Sequence, residues 1–129
     1  MNGAKYLLDT NILISALNRG LSFPEAQYFV SVISEIELLS FPSITAQEEV
    51  QIQKMLNSMI LVELTSRIKK ETILLRRQKK LKLPDALICA SAICEGATLV
   101  TNDLQLHATD SCEVKKLEDL LNADSQGRV

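Results

Sequence analysis

The chain has one histidine, His107, and three cysteines, Cys89, Cys94 and Cys112, in 129 residues. The cysteines are odd in number and no two are separated by two residues, which argues against a cysteine-held zinc and leaves buried, reduced thiols as the expected state. Long apolar runs are missing too. Hydrophobic residues make up 47% of the chain, yet no stretch approaches the ~20 residues of a membrane span. The start of the chain lacks the charged, apolar and small-residue order of a signal peptide, so the expected location is the cytoplasm, with no membrane partner. No repeat, linker or low-complexity tract divides the sequence. One domain is therefore expected over residues 1–122, large enough to bury a core without disulfides or a structural metal, with 123–129 as a disordered tail. Nor is one sign of charge in excess, and the net charge of −2 argues against wholesale electrostatic attraction to nucleic acid.

That average hides an asymmetry. Eight of the 14 basic residues lie between Arg67 and Lys82: Arg67, Lys69, Lys70, Arg76, Arg77, Lys79, Lys80 and Lys82. Interleaved with Ile68, Ile73, Leu74, Leu75 and Leu81, they predict a helix with an apolar stripe and a basic face. Such a face is either a solvated surface or a contact for phosphates, with Arg76, Arg77, Lys79, Lys80 and Lys82 as the candidates for that contact.

Strands and helices alternate along the chain. Lys5 to Leu8 reads as a buried strand and Ile12 to Leu17 as a helix; Tyr28 to Ile33 is a second strand, after which Ser34 is expected to cap a helix carrying Glu35 and Glu37. Thr45-Ala46-Gln47-Glu48 has the spacing of a capping box and opens a helix to about Asn57. Ile60 to Glu63 is a third strand, Ser66 starts the basic helix, and Pro84 in a first turn opens a helix from Asp85 to Cys94 that Gly96 terminates. Ala97 to Val100 forms a fourth strand, Val114 lies in a fifth, and Leu117 to Leu121 is a last helix. This alternation implies right-handed crossovers and an α/β fold with a central parallel sheet covered on both faces.

Four acids stand out by position. Asp9 and Asp103 follow the first and fourth strands, while Glu37 and Asp85 lie in the opening turns of helices leaving the same sheet edge, so all four can converge on one crevice. Each also has a plain local explanation as a cap, turn former, first-turn acid or solvated helix position. Carboxylates gathered so closely repel one another unless some are protonated or a cation compensates them, and oxygen-only ligands select Mg²⁺ or Mn²⁺ over zinc.

In this order LLDTN, VSVISEIELLS, LPDALICASA and LVTND resemble the PIN domain family over nearly the whole chain, and size and motif order are most similar to its VapC-type toxin ribonucleases. The resemblance implies a PIN-like three-layer α/β/α sandwich. It places the acidic quartet, as catalytic residues and metal ligands, on Asp9, Glu37, Asp85 and Asp103, with Asn11, Thr101 and Asn102 as polar supports. Glu37 is preferred over Glu35 because the family's acid follows a Ser or Thr by three residues, and Ser34 supplies it; Glu35 is the fallback. The family commonly carries an aromatic a few residues after the last acid, where this chain has Leu104, Leu106 and His107. A homodimer, an RNA substrate and a small cognate antitoxin whose tail enters the groove are implied as partners, as the toxin of a type II toxin–antitoxin pair.

Metal-independent ribonucleases generally need a pair of general acid and base groups, often histidines, and His107 alone cannot form one; it is expected in a surface loop. Catalysis would then rest on Mg²⁺ or Mn²⁺ and a water, yielding a 5′-phosphate and a 3′-hydroxyl. Asp9 and Asp103 are the expected direct ligands, Asp85 a ligand of a second or shared ion, and Glu37 a ligand or water-orienting base. A haloacid-dehalogenase-type phosphatase would need a second Asp where Asn11 stands, and a phospho-receiver domain would need an acceptor Asp on a central strand, where the third strand offers only Glu63. A PIN-fold RNA- or protein-binding module without activity is the remaining alternative.

Overall fold

The structure is a computed structural model describing residues 3–126. Five strands, β1 (Lys5–Leu8), β2 (Gln27–Ser31), β3 (Ile60–Val62), β4 (Thr98–Val100) and β5 (Val114–Lys115), form one sheet in the order β3-β2-β1-β4-β5. Every pairing is parallel. Seven helices are described: α1 (Thr10–Arg19), α2 (Val32–Leu39), α3 (Ala46–Asn57), α4 (Ser66–Lys79), α5 (Leu83–Glu95), α6 (Leu104–Ala108) and α7 (Leu117–Gln126).

Strand alternation builds the three layers, since successive side chains point to opposite faces. Leu7, Phe29 and Leu99 enter one core with Ile68 and Leu75 of α4, Ile88 of α5 and Leu106 of α6. Their neighbours Leu8, Val30 and Val100 enter the other, with Ile12 and Leu13 of α1, Leu38 of α2, Ile52 and Leu56 of α3, and Leu117 and Leu120 of α7. Each fully buried leucine contributes roughly 1.5–3 kcal/mol relative to exposure. Both faces are thus covered, as an all-parallel sheet requires.

Local signals explain most helix ends. Thr45 and Glu48 form the expected reciprocal capping box at α3. Gly96 adopts the left-handed conformation, φ 65°, that closes α5 and allows an abrupt turn into β4. Other boundaries depart from the sequence reading. Ser31, not Ser34, caps α2, its hydroxyl accepting from Ile33 N; β2 therefore ends earlier and Ser34 is buried inside the helix. α1 starts at Thr10 because the Asp9 carboxylate caps it. The short helix α6 was not anticipated, and α7 runs to Gln126, into the expected tail; residues 127–129 lie outside the described residues. On α4 the buried stripe is Ile68, Thr72 and Leu75, narrower than expected, since Ile73 and Leu74 are 45% and 43% exposed. No helix among the described residues is long and apolar enough to cross a membrane.

Candidate active site

The sheet order reverses at β1, whose neighbours are β2 on one side and β4 on the other. The connections leaving β1 and β4 diverge there, opening the crevice where parallel α/β sheets bind ligands. Asp9 follows β1 and Asp103 follows β4 by three residues, so both acids reach this switch point.

Asp9 is held from three directions. Its Oδ1 accepts from Thr10 N at 2.8 Å, and its Oδ2 accepts from Thr101 Oγ1 at 2.8 Å and Asn11 Nδ2 at 3.2 Å. Thr101, fully buried, accepts in turn from Asp103 N at 3.0 Å and Asn11 Nδ2 at 3.2 Å. Asn11 Oδ1 accepts from Asn102 N, and Asn102 Oδ1 accepts from Leu117 N, each at 3.2 Å. Asn11, Thr101 and Asn102 therefore stitch the two strand ends together and tie them to α7. Asp103 caps α6, its Oδ1 accepting from Gln105 N at 2.9 Å.

Glu37 joins from α2, where its Oε1 accepts from Thr10 Oγ1 at 2.6 Å; the same hydroxyl lies 2.8 Å from Ser34 Oγ. Ser34 is thus a buried hydroxyl behind Thr10, not a cap. Thr10 is the linking residue that sequence reasoning passed over; the signal was its hydroxyl inside LLDTN, between the two residues that were singled out. Glu37, not Glu35, is the α2 acid whose charge acts on Asp9 and Asp85. Asp85 projects from the first turn of α5. His107 lies half-buried on α6 rather than in a loop, its Nε2 2.7 Å from the Thr101 carbonyl oxygen. That bond braces the turn between β4 and α6, and the position beside the turn is one that the bare spacing of a lone histidine does not signal.

The four acids share a field. Burial raises the Asp9 carboxyl above its ordinary range, opposed by the hydrogen bonds from Thr101 and Thr10 and reinforced by the charges of Glu37 and Asp103. Burial also raises Asp85, with Asp103, Asp9 and Glu37 adding to it and Lys82 alone acting against it. Among the described residues no three His, Cys, Asp or Glu side chains stand at metal-holding spacing. The acids thus share electrostatics without forming a coordination sphere, but their chemistry, all oxygen and largely uncompensated by protein cations, suits a hard divalent cation such as Mg²⁺ or Mn²⁺.

Because Asp9 and Asp85 titrate above their ordinary 3.8 when folded, the folded state binds more protons than the unfolded chain. Metal-free stability should therefore rise as pH falls from neutral through the raised carboxyl range. The effect is cleanest above 4.5, the ordinary value of Glu48, whose carboxyl is drawn down by its bonds to Thr45 and loses that capping contribution at lower pH. Urea unfolding in chelator at a series of pH values measures this; stability that is flat or falls over the same window would contradict it.

The basic residues Arg76, Arg77 and Lys79 occupy the exposed last turn of α4, Lys80 ends that helix at its C-cap with φ 57°, and Lys82 stands at the N-cap position of α5 without a side-chain cap bond, three residues before Asp85. They stand at the junction that leads into the acid cluster. Arg76 also lines an apolar groove with Leu64, Lys69, Ile73, Leu83 and Leu87.

The family model of the PIN domain matches residues 6–111 of the chain. No curated protein matches the sequence. Among solved structures, the chain is similar to VapBC2 from Rickettsia felis bound to a DNA fragment from its promoter, with TM-score 0.76, 22% identity, and coverage of 87% of this chain and 98% of that one. A toxin–antitoxin complex from Klebsiella pneumoniae matches with TM-score 0.70 and 25% identity over 85% of this chain and 95% of that one. VapBC-1 from nontypeable Haemophilus influenzae matches with TM-score 0.73 and 18% identity over 87% and 97% of the two chains.

Proposed function

The chain belongs to the PIN domain family, and from that premise we propose that it is a Mg²⁺- or Mn²⁺-dependent endoribonuclease, the VapC-type toxin of a type II toxin–antitoxin pair. The observation that carries this reading is the convergence of Asp9, Glu37, Asp85 and Asp103 from four separate segments onto the switch point of the sheet, where the charges of Glu37 and Asp103 bear on both Asp9 and Asp85. Isolated caps and turn formers would not need to bring other carboxylates to bear on Asp9 and Asp85.

Asp9 and Asp103 would hold the ion from the two strand ends, Asp85 would reach it from α5, and Glu37 would orient the attacking water from α2. A bound ion supplies Lewis acidity to that water and to the scissile phosphate. The chain's own part is positional. Thr101 and Asn11 hold the Asp9 carboxylate, Thr10 holds Glu37, and the Asp103 backbone N–H is anchored on Thr101. Attack by water rather than by the neighbouring 2′-hydroxyl leaves a 5′-phosphate and a 3′-hydroxyl. The similar solved structures, one named as a toxin–antitoxin complex and two as VapBC, support a small antitoxin as partner; a homodimer working in the cytoplasm completes the reading.

RNA incubated with the purified protein should be cut in Mg²⁺ or Mn²⁺ and spared in chelator, with 5′-phosphate ends. Cleavage that persists in chelator, or ends bearing 2′,3′-cyclic phosphate, would overturn the mechanism. The acids' spacing, wider than a coordination sphere, favours as second reading a PIN-fold module that binds RNA or protein without cutting. RNA binding without cleavage under either metal would decide for it.

A further inference from the structure

Two sulfurs that the nuclease reading does not use meet beside the acid cluster. Cys89 Sγ, on the fully buried face of α5, lies 3.2 Å from the Sγ of Cys112, which is half-buried in the segment between α6 and β5. We propose that Cys89 and Cys112 are a redox modification site, a thiol pair that a peroxide converts into an intramolecular disulfide. The inference goes beyond the nuclease reading and does not depend on it.

The geometry needs little movement. A disulfide requires about 2.05 Å between sulfurs, so an approach of roughly 1 Å suffices, within the reach of small side-chain adjustments. The pair is also chemically asymmetric. The hydrogen bond from Cys89 lowers the Cys112 thiol below its ordinary range, and the same contact, with burial, raises Cys89. Cys112 is both the more readily ionised and the more exposed partner, as the attacking thiolate must be. Cys94, near the end of α5, has no sulfur bonded to it among the described residues, and burial raises its thiol.

The Cys112 thiolate attacks one oxygen of hydrogen peroxide, the O–O bond breaks, and hydroxide leaves and is protonated to water, giving a sulfenic acid. Cys89 then yields its proton to solvent, its sulfur attacks the Cys112 sulfur, the S–O bond breaks, and the departing hydroxide is protonated to a second water. Two thiols lose two electrons in all, and the peroxide accepts them. The bridge would join α5, which carries Asp85, to the segment following α6, which Asp103 caps.

The full-length chain treated with hydrogen peroxide, alkylated with iodoacetamide under denaturing conditions and digested should yield a linked Cys89–Cys112 peptide pair, with Cys94 alkylated. Dithiothreitol should reverse the linkage. Because the bridge closes a separation of 23 residues, the oxidised protein should melt higher, by about 5 °C or more. Cys94→Ser should behave as the parent does, and Cys112→Ser should show neither linkage nor rise. If Cys89 and Cys112 both remain alkylatable after peroxide, or are linked only through Cys94 or between chains, the proposal fails. The parent protein alone decides this even if a variant does not fold.

Discussion

Asp9→Asn is expected to lower RNA hydrolysis by about 10²- to 10⁴-fold, the several kcal/mol that a metal ion supplies to developing charge, while the protein stays folded. Asparagine keeps the size of the side chain and an oxygen to cap α1 through Thr10 N, a role it fills well. It removes the charge that faces Glu37 and Asp103. Two opposing effects set the stability change in metal-free buffer. Losing a buried carboxylate that its neighbours repel is favourable, whereas the new amide nitrogen would meet the donors Asn11 Nδ2 and Thr101 Oγ1, forfeiting bonds worth about 1 kcal/mol each. The net change should stay within about 1 kcal/mol of the parent, measured by urea unfolding in chelator alongside cleavage rates in Mg²⁺. A loss of more than about 3 kcal/mol would identify Asp9 as chiefly a structural cap.

The second large effect belongs to the junction of α4 and α5. With Arg76, Arg77, Lys79 and Lys80 replaced together by glutamine, RNA affinity should weaken for all sequences and its salt dependence should flatten. None of the four forms an ion pair with the described residues, and all are exposed. If each touches one phosphate, the parent's logarithm of affinity should fall against the logarithm of salt with a slope of roughly −3, about 0.7 per contact on a single strand. Lys82 is left in place because it is the cation acting on Asp85. Binding titrations at several salt concentrations, made in the Asp9→Asn background to prevent cleavage, give the slopes, and Mn²⁺ affinity should not change. An unaltered slope would make this basic turn a solvated surface only.

Much of the site was legible because its signals are local. LLDTN couples an apolar strand to a capped helix within five residues, LVTND repeats a strand ending in polar residues, and Pro84 with Asp85 marks a first helical turn. Misplaced features share a cause. Ser34 sits in a sequence that suits a cap equally well, and only the pairing of Ser31 with Val62 in the sheet decides where β2 ends and α2 begins. Ile73 and Leu74 satisfy an apolar pattern on α4, yet α5 and the sheet cover only the face of Ile68 and Leu75. α6 is five residues long, too short for periodicity to announce it, and rests on the Asp103 cap and the burial of Leu106.

Caps, turns and hydrophobic period act over a few residues, so the alternation of strands and helices, the positions of the candidate acids and the basic turn can be read along the chain. Which of these residues meet depends on the packed fold. The sheet order put β1 between β2 and β4, and with it Asp9 beside Thr101, 92 positions away. It tied Glu37 to Thr10, and it brought Cys89 against Cys112. These pairings depend on which strands become neighbours, a choice made by burying both faces of the sheet at once, and no local propensity encodes it.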